Sequence, residues 1–135
     1  MSKGVEIDTD KNRLDVSFIH EFISNSYWAA GRSIEDVQTC IDHSLNFGVY
    51  LAEKQIGYGR LVTDYTQFAY LMDVFIDKNH RGKGYSKQLM KYMLELKALS
   101  AVKVWRLATT DAQGLYAQFG FSPLAHPEKQ MELVR

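Results

Sequence analysis

The sequence predicts a mixed α/β fold in which a central, mostly antiparallel sheet is flanked by helices, and three observations support this prediction. Two helical patterns come first, and three strand-like segments then follow one another with only short turns between them. The remaining chain alternates helix and strand. Short turns favour antiparallel neighbours, whereas a strand reached through a helix can pair in parallel. We therefore expect one domain over residues 1–135, built as layers of helix and sheet.

The first half opens with a polar stretch that contains a short strand near 5–7. Asp15 is a predicted N-cap for a helix that continues to about Ser26 and places Phe18, Ile19, Phe22 and Ile23 on one face. Ser33, followed three residues later by Asp36, resembles a capping box and predicts a second helix to about Asn46. Both helices have an apolar stripe that can pack on a sheet.

The second half predicts the sheet and its crossover. Strands are expected at 47–53 and 56–64, with a turn at Lys54–Gln55, and at 68–76, where the continuous apolar run indicates a buried central strand. A helix over 84–99, a strand over 102–108 and a short helix over 112–119, with Asp111 as its N-cap, follow. Residues 121–135 read as terminal strands interrupted by Pro123 and Pro127.

Composition narrows the classes of function. Sixteen acidic residues balance sixteen basic ones, so no overall field attracts nucleic acid or an anionic membrane. The single cysteine, Cys40, excludes an internal disulfide and fits a reducing compartment. No leader and no long apolar run is present, so we expect a cytoplasmic protein. The four histidines lack metal-ligand spacing, and no metal is expected.

The segment 73–90 carries the strongest functional signal. An apolar strand runs into a basic turn with Gly82 and Gly84, and this turn opens directly into a helix. Such a turn presents backbone N–H groups at a helix N-terminus, where a phosphate can bind, and glycine lets the phosphate approach the main chain. Arg81, Lys83 and Lys87 add positive charge. Taken alone, the two glycines are equally consistent with a tight turn of purely structural origin.

Two motifs in this order resemble those of the GCN5-related N-acetyltransferase (GNAT) superfamily. Arg81-x-x-Gly84-x-Ser86 resembles the superfamily's phosphate loop, with Ser86 in place of a final Gly or Ala. The later motif, Ala-x-x-Leu-Tyr-x-x-x-Gly-Phe, is matched by Ala112, Leu115, Tyr116, Gly120 and Phe121. The resemblance covers the chain from Phe68 onward.

The resemblance implies an enzyme that transfers an acetyl group from acetyl-CoA to a primary amine, directly within a ternary complex. It implies that Tyr116 protonates the departing thiolate, and that the main chain of the strand before the loop holds the pantetheine arm. At a further cofactor contact, usually Asn, this chain has Thr109. The implied cofactor-binding residues are Val74, Phe75, Ile76, Arg81, Gly82, Lys83, Gly84, Tyr85, Ser86, Lys87 and Thr109.

Asp73 is the first candidate for the general base that deprotonates the amine, with Asp64 and a water chain as the alternatives. Asp73 lies beside the predicted pantetheine segment and between apolar neighbours, so we expect a buried carboxylate with a raised pKa. Strand alternation predicts that Met72 and Asp73 point to opposite faces. A turn cap or a structural ion pair is an equally good account of either carboxylate.

Two other classes of function compete with this one. A non-catalytic acyl-CoA-binding or sensor module would use the same loop. A nucleotide phosphotransferase would also use this loop, but the chain lacks the Gly-x-x-x-x-Gly-Lys-Ser/Thr pattern, which argues against that class. The expected acceptor is a small-molecule or peptide amine, with no nucleic acid or membrane partner. A homodimer is compatible with the resemblance, since dimers are common in the superfamily and among proteins generally.

Overall fold

A computed structural model describes residues 4–135 and contains one five-stranded sheet. The spatial order of the strands follows the chain, β1 to β5. Neighbouring strands are antiparallel except β4 and β5, which are parallel. The strands are β1 (Glu6–Asp8), β2 (Leu45–Leu51), β3 (Lys54–Thr63), β4 (Phe68–Ile76) and β5 (Val104–Leu107). The predicted mixed, mostly antiparallel sheet is confirmed.

Within residues 4–135 four α-helices flank this sheet, and the predicted N-caps Asp15 and Ser33 are present. Asp15 accepts a hydrogen bond from the Phe18 N–H at 3.0 Å, and Ser33 Oγ accepts one from the Asp36 N–H at 3.1 Å. These caps satisfy donors that the first helical turn leaves free. The helices are α1 (Val16–Ser24), α2 (Ile34–Asp42), α3 (Tyr85–Glu95) and α4 (Gln113–Ala117).

Each sheet face has its own apolar core. On one face α3 and α4 pack over Phe47, Leu61 and Leu71. On the other face Ile19, Ile23, Val37 and Ile41 of α1 and α2 pack with Tyr58 and Phe75. Helices on both faces leave the edges and ends of the strands as the places where a ligand can reach the sheet.

A β-bulge interrupts β4. Tyr58 pairs with Phe75 and Arg60 with Met72, so Gly59 alone faces both Asp73 and Val74. Asp73 takes a left-handed conformation with φ of 55°, which Asp tolerates better than most residues. The extra residue changes which face the following side chains occupy. Leu71 and Val74 consequently belong to the same core although they are three residues apart.

The bulge overturns one prediction about side-chain direction. Met72 Sδ and Asp73 Oδ2 accept hydrogen bonds from the same guanidinium, that of Arg60, at 3.0 and 2.9 Å. The two side chains therefore lie on the same side of the sheet. Simple alternation fails here because the left-handed residue rotates the strand.

Strands β4 and β5 separate beyond their first four pairs. Their register runs from Phe68–Val104 to Leu71–Leu107 and then stops. The second half of β4, residues 72–76, pairs with β3 on one side only. A wedge-shaped opening results, with the free backbone edge of β4 along one wall.

Several predicted boundaries are wrong, and one error has a clear cause. The β2–β3 turn lies at Ala52–Glu53, both with positive φ, and not at Lys54–Gln55. Gln55 belongs to the strand because it is buried and hydrogen-bonded: Nε2 donates to the Gly57 carbonyl, and Oε1 accepts from the Asp15 N–H. Helix α2 ends at Asp42, and α3 ends at Glu95 before a 3₁₀ turn, Lys97–Leu99.

The predicted terminal strands are absent. Residues 121–135 contain one 3₁₀ turn, Pro127–Lys129, and no strand, and nearly all of these residues are exposed. Asp111 is not the cap of α4: Ala112 holds that position, and its N–H donates to Thr109 Oγ1 at 3.1 Å. In the described part of the chain, every helix is too short or too polar to cross a bilayer.

Candidate active site

The opening between β4 and β5 forms a cavity with a volume of about 770 Å³. Its walls come from the second half of β4, the end of β5 with the following loop, and the loop after α1. Helix α4 also contributes, and the side chains that meet in the cleft include Trp28, Arg32, Asp73 and Tyr116. Such a concave, partly apolar site with a few polar groups is typical of small-molecule binding.

A smaller cavity of about 170 Å³ adjoins this cleft at the start of α3. The two cavities share Ile76, Arg81, Ser86 and Leu115, so an elongated ligand could occupy both. Gly82 and Gly84 line the smaller one with φ of 79° and 80°. A Cβ placed on either glycine would meet no heavy atom within 4 Å. The two glycines thus allow the left-handed backbone conformation of the turn and leave open space in front of its main chain.

This smaller cavity has the donors of an anion site. The N–H groups of Tyr85, Ser86 and Lys87 have no backbone acceptor among the described residues, as expected for the first turn of a helix. The helix dipole and the Lys87 side chain add positive potential at the same point. Lys83 lines neither cavity, and Arg81 donates from Nε to the Ile76 carbonyl at 3.1 Å.

The predicted pantetheine segment lies on the unpaired edge of β4. Phe75 and Ile76 are buried and Val74 is half-buried, each with its side chain packed in one of the two cores. Phe75 stacks on Phe22 with ring centroids 3.9 Å apart. The side chains of Phe75 and Ile76 are therefore committed to packing, and a ligand in the cleft would meet mainly the main chain of this segment.

Tyr116 lines the cleft from α4, and only 8% of its surface is exposed. Burial is the main cause that raises the pKa of its phenol to about 12. No described residue forms a hydrogen bond with its hydroxyl. The geometry provides a neutral, uncommitted hydroxyl at the cleft wall.

Comparison with known proteins agrees with this geometry. The acetyltransferase (GNAT) domain profile matches residues 44–123, more than half of the chain. The chain belongs to the GNAT acetyltransferase family. A crystal structure from Xanthomonas campestris, described as a "putative acetyltransferase belonging to the gnat family", is 42% identical, with a TM-score of 0.94 over 97% of this chain and 93% of that one.

Two more distant relatives extend the comparison. A Gibberella zeae protein named "Putative acetyltransferase" is 25% identical over 83% of this chain and 75% of its own length. A Staphylococcus aureus structure, described as a "Probable Acetyltransferase", has a TM-score of 0.77 over 97% of this chain and 98% of that one. At 18% identity the latter supports the GNAT fold alone.

Asp73 of this GNAT protein lies in an ion-paired cluster that the sequence analysis did not predict. Its Oδ2 accepts from Arg60 Nε at 2.9 Å and from Arg32 Nη1 at 2.8 Å, and its Oδ1 accepts from Trp28 Nε1 at 2.9 Å. Burial disfavours the charged carboxylate, but the two guanidinium groups lower its pKa below the usual value overall. The expected raised pKa is wrong, because both cations are remote in sequence.

Asp64 has a structural role at the β3–β4 turn. Its Oδ1 accepts from the N–H groups of Thr66, Gln67 and Phe68, and these hydrogen bonds lower the pKa of the carboxyl. It lines neither cavity. The turn-cap explanation considered for Asp64 therefore accounts for its contacts.

Further residues of the cleft wall carry polar groups. Tyr27 and Trp28 form part of the wall, and the Tyr27 hydroxyl accepts a hydrogen bond from Thr110 Oγ1 at 2.9 Å. Thr109 also lines the cleft, and its hydroxyl oxygen accepts a hydrogen bond from the Ala112 N–H just before α4. Asp111 is exposed at the rim without a hydrogen bond to a described residue. Within residues 4–135, no three metal-ligating side chains are grouped.

Replacement of Asp73 by Asn should lower the free energy of unfolding by about 3–5 kcal/mol at pH 7, because it leaves the buried Arg60 without its counter-charge. Because the pKa of Asp73 is lower in the folded protein than in the unfolded chain, this stabilising contribution is fully present above pH ~4, the pKa of an unfolded Asp. The contribution is lost as the pH falls further. Urea unfolding at pH 7 and pH 3 measures both effects.

Asp64→Asn is the matched control, because an amide oxygen can still accept the hydrogen bonds of the exposed turn. Its free energy of unfolding should fall by no more than about 1 kcal/mol. Equal stability of Asp73→Asn and wild type at pH 7 would show that the ion pairs contribute nothing.

Proposed function

We propose that this protein is an acetyl-CoA-dependent N-acetyltransferase that transfers an acetyl group directly to a primary amine within a ternary complex. The observation that supports this best is the continuity of three features: the glycine-lined helix start, the free edge of β4 and the Tyr116 hydroxyl. They lie along two adjoining cavities. We also propose a cytoplasmic location, consistent with the lone Cys40.

The residues present fit coenzyme A. The N–H groups at 84–87, with Lys87 nearby, would hold its diphosphate, since Gly82 and Gly84 leave open space there. The main chain of 74–76 would hold the pantetheine arm in the manner of an added strand. The Ile76 carbonyl already accepts from Arg81, and backbone groups alternate sides along a strand, so Val74 offers the freer groups at the open edge. Ser86 lines both cavities and could donate one further hydrogen bond.

When bound, acetyl-CoA supplies an activated acyl group on a thiol that must leave. Tyr116 would hold a proton at Oη and transfer it to the departing sulfur. Its raised pKa keeps this proton in place throughout the physiological range. The same pKa makes the phenol a weak acid, so the transfer depends on proximity and on the charge that develops on sulfur.

Deprotonation of the amine does not require Asp73. That carboxylate accepts three hydrogen bonds and is paired with two cations, so its basicity is low. The cluster of Arg32, Arg60 and Asp73 carries a net charge of about +1, which favours a neutral amine nearby. Asp111 at the rim is the one carboxylate of the described cleft lining left unpaired, and it could accept the proton through water.

Arg32 indicates a class of acceptor. Its side chain is 23% exposed, lines the cleft and uses only Nη1 in a hydrogen bond to a described residue. A guanidinium with free N–H donors, in a cluster of net positive charge, favours a carboxylate partner. We therefore propose an acceptor that carries a carboxylate near its amine.

An amine panel that pairs amino acids with their amides, assayed by CoA release, tests this function. Faster turnover of the acids supports both the transferase and the acceptor class. Preference for the amides would overturn only the acceptor class. Tight CoA binding with no acetylation of any amine would favour a non-catalytic acyl-CoA sensor. ATP binding without CoA binding would favour a phosphotransferase.

Gly84→Asn should weaken CoA binding about tenfold or more, because its side chain would enter the space in front of the free N–H groups. Asn is chosen because it tolerates the left-handed conformation. Isothermal titration with CoA measures the effect.

Gly31→Asn is the matched control: Gly31 has the same φ of 80° and the same open surroundings, but it lies outside both cavities. CoA affinity unchanged in a folded Gly84→Asn protein would disprove this anion site.

Tyr116→Phe should lower kcat about 10²–10⁴-fold with little change in CoA affinity, because only the proton donor is removed. The pKa of about 12 further predicts that wild-type kcat/KM shows no fall between pH 7 and 10. Steady-state kinetics across this range measures both.

Tyr50→Phe is the control, since it removes a buried hydroxyl whose pKa is also raised to about 12, outside the cleft. Full activity in Tyr116→Phe would assign Tyr116 to packing alone.

A further inference from the structure

One face of the sheet is only partly covered by helices. Helices α1 and α2 pack on Tyr58 and Phe75, and the core that they form does not extend past the Arg60–Asp73 ion pair. Large apolar side chains are exposed on the strands beyond this pair: Val62 at 41%, Phe68 at 37% and Val104 at 41%. Single exposed apolar residues are normal, but three on neighbouring strands form a patch that a ligand can cover.

Strand alternation places this patch on the face opposite α3. Leu61 of β3 and Leu71 of β4 belong to the core under α3. Val62 and Tyr70, which are next to them in sequence, therefore point to the other face, and these two residues are paired across the strands. Phe68, two residues before Tyr70, points the same way. Tyr70 is thus the next residue of the patch in the direction of the cleft.

Tyr70 connects this patch to the cleft. It is half-buried, and it lines the same cavity as Met72 and Arg32. Its ring lies beside that of Phe68, with centroids 6.3 Å apart and ring planes inclined by 26°, and the Arg106 guanidinium carbon lies 5.9 Å from the Phe68 centroid. These neighbours support the Tyr70 ring, whereas the part that faces the cavity is free to contact a ligand. The cleft therefore has an aromatic wall as well as a guanidinium group.

The aromatic wall and Arg32 are close enough for one small molecule to contact both. Arg32 donates to Asp73, which is three residues from Tyr70 along β4. At about 3.3 Å per residue, the Cα atoms of Tyr70 and Asp73 are roughly 10 Å apart along the strand, and side chains that reach into the cavity shorten this gap. A ligand with a carboxylate at one end and an aromatic ring at the other can bridge it.

We propose that Tyr70 is a specificity-determining residue and that the acceptor carries an aromatic ring in addition to its carboxylate and amine, as an aromatic amino acid does. The carboxylate would pair with the free N–H groups of Arg32, and the ring would pack on Tyr70 in an offset-stacked or edge-to-face arrangement. Met72 would add a thioether contact at the edge of the ring. This inference rests on the proposed function, because it names the acceptor of the same site.

Isothermal titration of the CoA-saturated protein with L-phenylalanine and with L-alanine tests the ring contact without requiring turnover. The wild type should bind phenylalanine at least about tenfold more tightly than alanine, because only phenylalanine has a ring to pack on Tyr70. Tyr70→Thr, a β-branched replacement that suits a strand, should bring the two affinities to within about threefold of each other. Tyr70→Phe keeps the ring and should keep the preference.

Tyr65→Asn is the matched control. Tyr65 is also an aromatic residue next to β4 and is 43% exposed, but it lines neither cavity of the site, and Asn tolerates its φ of 67°. The affinity of this variant for phenylalanine should stay within about twofold of wild type.

Two results would overturn the proposal: equal affinity of the wild type for phenylalanine and alanine, or a Tyr70→Thr protein that keeps the full preference. Acetylation of amines without a preference for phenylalanine would likewise exclude the ring contact while leaving the transferase in place. Tyr70-dependent binding of phenylalanine without acetylation of any amine would support the ring contact and would count against the transferase alone.

Discussion

The ion pair between Asp73 and Arg60 is the interaction on which the cleft depends. It holds a left-handed residue in the middle of β4, at the place where one residue of β3 faces two of β4. The Asp73 side chain is 2% exposed and that of Arg60 8%, so either one alone would be a buried, unpaired charge. Arg32 and Trp28 extend the pair to the loop after α1. One carboxylate thus joins the central strands to the wall of the cleft.

The bulge explains how a continuous strand can both close the core and open a binding site. Before it, β4 pairs with β5 and buries Leu71; after it, the β5 side is unpaired and Val74 still faces the same core. Strain at a functional site persists where surrounding contacts over-determine it, and here three hydrogen bonds to one carboxylate do so. We expect β4 to present its free edge in a fixed geometry before any ligand binds.

The sequence predicted the fold and the glycine turn at the start of α3 well because these depend on local signals. Caps at Asp15 and Ser33, the apolar run of β4 and the glycine turn are each contained within a few residues. The Asp73 cluster joins residues 13 to 45 positions apart, and nothing in the local pattern pairs them. The bulge reverses the alternation from which side-chain directions were inferred. The strands predicted after Gly120 do not form: residues 121–135 pair with no strand and are nearly all exposed, which a local pattern of alternation does not reveal.

Hydrogen exchange with and without CoA tests most directly whether the unpaired edge of β4 and the glycine turn form one binding site. The account predicts that CoA slows exchange in two stretches together, residues 74–76 and 82–87, with little change at the β3–β4 turn. Protection at 82–87 alone would mean that the phosphate site binds without the strand edge. Protection confined to other parts of the chain would contradict the account.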